Sequence, residues 1–233
     1  MTKNISLILY KIFFYFNKIL KFIFKKNFLI HFKEFLENDS YKEIAILDNQ
    51  VKFFTPSVIT NWRIETLFTK EPETIDWINS FKKDEEIIFW DIGANVGIYS
   101  VYNALKNKNS ITYAFEPSTS NLRSLSRNIS INNLQNKVNI VPIPLTNITN
   151  KFLMMKETQF IEGGALNAFG VDFNYEGKKI KSNMNYSMIG TTINFLIENT
   201  ELEIPDYIKI DVDGIEHLIL EGASKYLNNK KIK

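Results

Sequence analysis

The sequence predicts an α/β protein built on a parallel sheet, and three observations carry that prediction. Short β-rich runs occur at 87–91, 111–115, 138–142 and 207–211. Helical candidates at 97–107, 118–132, 190–199 and 214–227 lie between or after them, and strands alternating with helices form parallel sheets with right-handed crossovers. The 233 residues, 45% of them hydrophobic, hold enough apolar material for the core of one ordinary domain. Three segments are expected: a basic amphipathic helix over 1–36, a hairpin and helix extension over 37–86, and a ligand-binding α/β domain over 87–233.

The first segment reads ISLILYKIFFYFNKILKFIFKKNFLI from Ile5 to Ile30. Lys11, Lys18 and Lys25 recur every seven residues and, with Lys21 and Asn17, draw a narrow polar stripe on an otherwise apolar helix. Lysines interrupt it too often for a spanning helix, which wants about 20 apolar residues. No small-residue cleavage pattern follows, which argues against a signal peptide. Two readings stand: a helix lying on the cytoplasmic face of an anionic membrane through residues 1–30, or a helix docked on the domain with its lysines solvated. The expected location is therefore cytoplasmic, or peripheral on the inner face of the membrane.

Lys3, Lys11, Lys18, Lys21, Lys25, Lys26 and Lys33 precede the first acid, Glu34, and leave 21 basic against 26 acidic residues elsewhere. That mildly acidic remainder disfavours nucleic acid as a partner. The chain has no cysteine and only His31 and His217. Disulfides, thiolate zinc sites and multi-histidine metal sites are excluded, which suits a reducing compartment.

Runs at 44–47 and 51–54 flank Asp48-Asn49-Gln50 as a short hairpin. Residues 61–83 read as a loop and then a helix starting near Pro72 or Glu73. Segment 156–189, rich in Gly, Asn and Lys, is too long for a plain connection and reads as a functional loop over the sheet.

The first strand of the α/β domain runs into DIGANVG. A dinucleotide turn needs a glycine at its centre so that pyrophosphate can reach the backbone, and here Asn95 stands between Gly93 and Gly97. Asn95 also disfavours a nicotinamide dehydrogenase. What remains suits a nucleoside carrying a small zwitterion. Asp91 can orient an ammonium, the Gly93–Gly97 turn and the following helix N-terminus can approach a carboxylate, and Glu116, one strand later, can accept two hydrogen bonds from a ribose diol. Ammonium, carboxylate and ribose without phosphate describe S-adenosylmethionine. Each of these groups taken alone could equally serve a tight turn or a helix start.

A second cluster, IKIDVDGIEH, carries Asp211 to the end of a strand, with Glu216 and His217 opening a helix. Methyl transfer is an in-line displacement in which the enzyme positions the acceptor and removes its proton. Asp211, Glu216 or His217 is the candidate base, the carboxylates ahead of the imidazole. A metal bridging Asp211 and Asp213 is conceivable. Against these roles, Glu216 could simply cap its helix and Asp213 serve the turn.

DIGANVGIYS, AFEPSTSNLRSLSRNISINNL, VNIVPIPLT and IKIDVDGIEHLILEGA, in that order, resemble the FkbM-type S-adenosylmethionine-dependent methyltransferases. The upstream FFTPSVITNWRIETLFTKEPETIDWI and the segment EGGALNAFG are similar to that family as well, so the resemblance covers residues 50 to 227 approximately. It implies the Rossmann-like class I methyltransferase fold and O-methylation, commonly of sugar hydroxyls in surface polysaccharides or of polyketide-type natural products. It places Asp91, Gly93, Asn95 and Gly97 at the methionine end and Glu116 at the ribose. It adds Asn121 and Asn128 on the next helix, and Thr146 at the adenine edge. Gly163 and Gly164 would belong to an acceptor lid, with Arg63 and Glu71 contributing from upstream.

One departure follows. The family's sheet has seven strands, whereas this chain ends about where a fifth would begin, so the strand from Tyr207 is expected to be an open sheet edge. A fragment is the favoured reading; a partner completing the sheet is the other. The leading function is a methyltransferase acting on a glycan hydroxyl. The competing class is a truncated, non-catalytic module that binds cofactor or a partner.

Overall fold

The computed structural model describes residues 1–82 and 85–233. The chain forms two compact units, Met1–Tyr41 and Lys42–Lys233.

The first unit is a helical hairpin of α1 (Thr2–Phe24) and α2 (Leu29–Asn38). Lys25 adopts the left-handed conformation and stops α1. Asn17, buried on α1, closes the turn by accepting from the Leu29 N–H at 2.9 Å and donating to Asn27 at 3.1 Å. Phe13 and Phe32 meet edge to face at 4.1 Å between ring centroids. Among the described residues no helix is long and apolar enough to cross a membrane.

The hairpin of β1 (Tyr41–Ile46) and β2 (Asn49–Phe54) belongs to the second unit from Lys42 onward. The turn is tighter than the sequence suggests: Leu47 and Asp48 both take positive φ, as a two-residue turn matched to strand twist requires. Helix α3 (Val58–Glu65) occupies part of what reads as a loop. Its start is a capping box, with Ser57 and Thr60 satisfying each other's backbone N–H. Helix α4 (Pro72–Asn79) starts at the expected proline.

The remaining elements are β3 (Ile87–Ile92), α5 (Ile98–Lys106), β4 (Ser110–Phe115), α6 (Thr119–Ile131), β5 (Val138–Val141), β6 (Lys151–Glu157), β7 (Ala168–Phe169), β8 (Met184–Gly190), α7 (Ile193–Asn199), β9 (Tyr207–Ile210) and α8 (Glu216–Glu221). The main sheet has the order β5-β4-β3-β9, all parallel, with β9 an outer strand. Every residue of β3 is buried, as expected of a strand covered on both faces. Ile87 and Phe89 pack with Val101, Leu125 and Ile78 on one face; Ile88, Trp90 and Ile92 pack with Ile193, Leu196 and Ile219 on the other.

Segment 156–189 departs from the expected irregular loop. It contributes β7 and most of β8 to a three-stranded antiparallel sheet of order β7-β6-β8. Strand β8 alternates, so Tyr186 and Met188 turn toward Met155, Phe169 and Ile215 while its other side chains face solvent. Its polar face makes it look like a loop in sequence.

Candidate active site

The turn after β3 is built by contacts that exclude side chains. A Cβ on Gly93, at φ +81°, would lie 2.0 Å from the carbonyl oxygen of Asp211, so the missing side chain lets the end of β9 close onto the turn. A Cβ on Gly97, at φ +82°, would lie 2.4 Å from Leu125 Cδ1, so that glycine lets α5 start against α6. Between them Asn95 also takes positive φ, a conformation asparagine tolerates. The Gly93 and Ala94 N–H groups donate to the Phe115 carbonyl at 3.0 and 2.9 Å, tying the turn to the end of β4.

Glu116 follows β4 and is buried. Its Oε2 accepts from the Asn95 N–H at 2.7 Å and its Oε1 from the Ser118 N–H at 2.8 Å. Burial nevertheless pushes its carboxyl up to about 7, against those two N–H donors. The Asn121 side chain is a third donor to the carboxyl, and Glu116 lines a cavity at the carboxyl end of the sheet. Asn95, Asn121, Asp211 and Asp213 line the same cavity; Leu145 and Phe169 make its apolar end.

Segment 157–170 runs over this cavity. The Gly164 carbonyl accepts from Asn95 Nδ2 at 2.8 Å and from Asn121 Nδ2 at 3.2 Å, and the Gly163 N–H donates to Asn121 Oδ1 at 2.9 Å. Arg63 Nε donates to the Gly163 carbonyl at 2.8 Å, and Ser57 Oγ to the Glu162 carbonyl at 2.9 Å. Arg123 and Glu162 pair at 2.6 Å.

A second, polar cavity lies behind the turn. Arg63, Lys70, Glu71, Tyr99 and Lys209 line it, and it shares Gly93, Asn95 and Asp211 with the first. The Lys209 side chain is 10% exposed, with Nζ 3.2 Å from Asp211 Oδ2, 3.7 Å from Asp91 Oδ1, and 5.1 Å from the Tyr99 ring centroid. Burial alone would lower its pKa, but the two aspartates raise it, so it stays an ammonium. Tyr99 donates to Glu71 Oε2 at 2.7 Å, and burial together with that carboxylate raises its pKa. Burial works against ionisation of Glu71, but its bonds from Lys70 and Tyr99 prevail and hold its carboxyl low.

Several residues singled out in the sequence stand elsewhere. Asp91 shares the face of Ile87 and Phe89, because side chains alternate along β3. It is 0% exposed, accepts from Ser100 Oγ at 2.6 Å and faces Lys209, and it does not line the cavity beside Glu116. Asn128 donates to the Val96 carbonyl at 2.8 Å and accepts from the Phe54 N–H at 2.6 Å, latching the hairpin to the turn. Thr146 is buried against Thr191, and its neighbours Pro144 and Leu145 line the cavity instead. Glu216 accepts from its own turn, at the Val212 and Gly214 N–H groups (3.4 and 3.3 Å). His217 is exposed and lines neither cavity.

That leaves Asp211 as the carboxylate reaching both cavities. Asp213 is held by the Leu166 N–H at 2.6 Å, and its carboxyl is raised by burial. The two aspartates thus have different partners, and among the described residues no cluster of three potential ligands is placed to hold a metal. Lys209 was not singled out in the sequence. The available signal was a lone lysine in an otherwise apolar strand.

A buried acid at the end of β4, an asparagine Oδ1 with no hydrogen-bond partner beside it, and an apolar slot at the far end fit an adenosyl group with an amino-acid tail. These features on a parallel sheet define the class of S-adenosylmethionine-dependent methyltransferases. Residues 91–233 match the Methyltransferase FkbM domain, and the chain belongs to that family, whose methyl donor is S-adenosylmethionine. No curated protein matches the chain. Among solved structures, it is similar to the C-terminal domain of precorrin-6Y C5,15-methyltransferase from Rhodobacter capsulatus (16% identity, TM-score 0.39, 68% of this chain and 58% of that one). It is also similar to precorrin-6y C5,15-methyltransferase from Geobacter metallireducens (14%, 0.39, 68% and 56%). A third is M. capricolum TrmK in complex with S-adenosyl-homocysteine (14%, 0.38, 68% and 47%). The chain thus spans little more than half the length of the first two.

Proposed function

We propose that this protein transfers a methyl group from S-adenosylmethionine to a sugar hydroxyl of a surface glycan or a related natural product. The observation that carries the reading is Asp211, which lines both the cavity beside Glu116 and the polar cavity behind it. The bound cofactor would supply an electrophilic methyl carbon on its sulfonium. Glu116 accepts from the ribose diol, and Asn95 Oδ1 accepts from the ammonium of the amino-acid tail. Leu145 and Phe169 take the adenine.

The acceptor enters the polar cavity, where Arg63, Lys70 and Glu71 offer the mixed donors and acceptors that a polyol needs. Asp211 takes the proton of the attacking hydroxyl, and Lys209 fixes the carboxylate that does so. Segment 157–170 excludes water above the reacting atoms.

The test is labelled-methyl transfer to pools of nucleotide sugars and lipid-linked glycans, with Asp211→Asn as the control. The substitution is expected to lower transfer by about 10²–10⁴-fold and to change cofactor affinity only a few-fold. Transfer that survives the substitution removes Asp211 as the base. A wild-type chain that binds cofactor and methylates no pool makes it a non-catalytic module.

A further inference from the structure

We infer that α1 is a peripheral membrane anchor, lying flat on an anionic phospholipid surface with its axis in the plane of the interface. Ile5, Ile8, Ile12, Phe16, Ile19 and Ile23 follow the i, i+3, i+4 spacing of one helical face, and each is between 47% and 63% exposed. Leu9 and Tyr15, at 61% each, widen that face on its two sides. The row extends about 27 Å along the helix, so the apolar strip is long and unbroken. Helix α2 does not cover it; α2 packs on the neighbouring flank, where Phe13 meets Phe32 and Asn17 closes the turn.

The opposite flank is cationic. Lys11, Lys18 and Lys25 line one edge of the apolar strip, and no acid occurs before Glu34. The Lys18 ammonium rests 5.0 and 5.3 Å from the ring centroids of Phe14 and Tyr15. Rings at the rim with lysines above them are the arrangement of a side chain that buries its stem while its charge stays at the headgroup level.

Charge decides between this occupant and a second copy of the chain. Pairing two α1 faces would bring lysine flanks together with no carboxylate on either helix to answer them. Anionic headgroups supply that negative charge along the whole edge, and acyl chains take the isoleucines. The same lysines keep the helix from crossing the bilayer.

The experiment is co-flotation of the full chain with vesicles of phosphatidylcholine alone or with 30% phosphatidylserine, in low and high salt. Binding is expected to be about tenfold or more stronger on the anionic vesicles, and that gain should vanish in high salt. Lys11→Ser, Lys18→Ser and Lys25→Ser together should abolish the gain. Ile8→Ser, Ile12→Ser and Ile19→Ser together should abolish binding to both vesicles. All six positions are exposed, and an unchanged thermal melt shows that the variants fold. Absence of flotation, equal flotation of wild type and both triple variants, or a dimer that the isoleucine variant dissolves without any vesicle binding would overturn the proposal.

Discussion

If Glu116 holds the ribose as proposed, cofactor affinity should rise with pH through neutrality, because burial leaves that acid half protonated near pH 7 in the empty site. Burial pushes Glu116 up to about 7 from an ordinary value of 4.5. A ribose diol donates hydrogen bonds, so it selects the carboxylate over the acid. At pH 6 about a tenth of empty molecules carry the carboxylate and at pH 8 about nine-tenths, so the dissociation constant should fall about tenfold between them.

The stability linkage has the opposite sign. The native state holds a proton between pH 4.5 and 7 that the unfolded chain has released, so the empty protein loses stability as pH rises across that window. That displacement amounts to about 3 kcal/mol at most. Calorimetric titration of S-adenosylmethionine at pH 6, 7 and 8, paired with thermal melts, reads both effects. The ligand's own α-amino group titrates near pH 8, so Glu116→Gln supplies the baseline. That substitution should weaken binding roughly tenfold to a hundredfold by removing a charge-assisted acceptor. A wild-type profile that is flat, or parallel to that of the variant, refutes the assignment of Glu116 to the ribose.

Two stability predictions follow from the packing around the turn. Lys209→Met leaves Asp91, which is 0% exposed, without its cation and should cost about 3 kcal/mol in urea unfolding. Adding Asp91→Asn should recover part of the loss, and a cost below 1 kcal/mol for the single change would sink the pairing. Gly97→Ala puts a methyl 2.4 Å from Leu125 Cδ1 at positive φ and should cost about 2–4 kcal/mol, read as a lower melting temperature. Leu125→Ala in that background should relieve the clash but not the backbone strain; no relief at all would place the cost elsewhere.

The four strands of the parallel sheet are readable in the sequence because each is an apolar run closed by Asp, Glu-Pro, Pro or Asp. Glu116 is readable as the acid that closes β4, and the structure places it on the cavity. Asp91 is less so. Its type and position suggest a ligand, but its direction depends on which face of β3 meets the cavity, and that is set by the parity of the strand within the assembled sheet. The pairing of Asp91 with Lys209 depends on β9 lying beside β3, a neighbour 118 residues away in sequence that no local pattern names. Strand β8 is hidden differently. Half its residues face solvent, so Asn185 and Ser187 look like loop, and only its antiparallel partner β6 makes a strand of it. Helix α3 is hidden in the sequence because its start depends on the Ser57–Thr60 cap rather than on an apolar face.

The segment over the cofactor cavity is fastened largely by its own main chain. Arg63, Asn95, Asn121 and Ser57 grip the amide of Gly163 and the carbonyls of Glu162, Gly163 and Gly164; the ion pair of Glu162 with Arg123 is a side-chain attachment. Main-chain grips are blind to most of what the segment spells. The two glycines are tied to their identity, since a Cβ at 163 would meet Thr60 Cγ2 at 2.9 Å and one at 164 the Gln159 carbonyl oxygen at 2.8 Å; further along, Phe169 is buried against the cavity and Gly170 takes positive φ. The exposed positions Gln159 and Phe160, before the glycine pair, carry none of these attachments, so the near end of the cover can vary while its main-chain seat and the cavity-lining residues after the pair stay as they are.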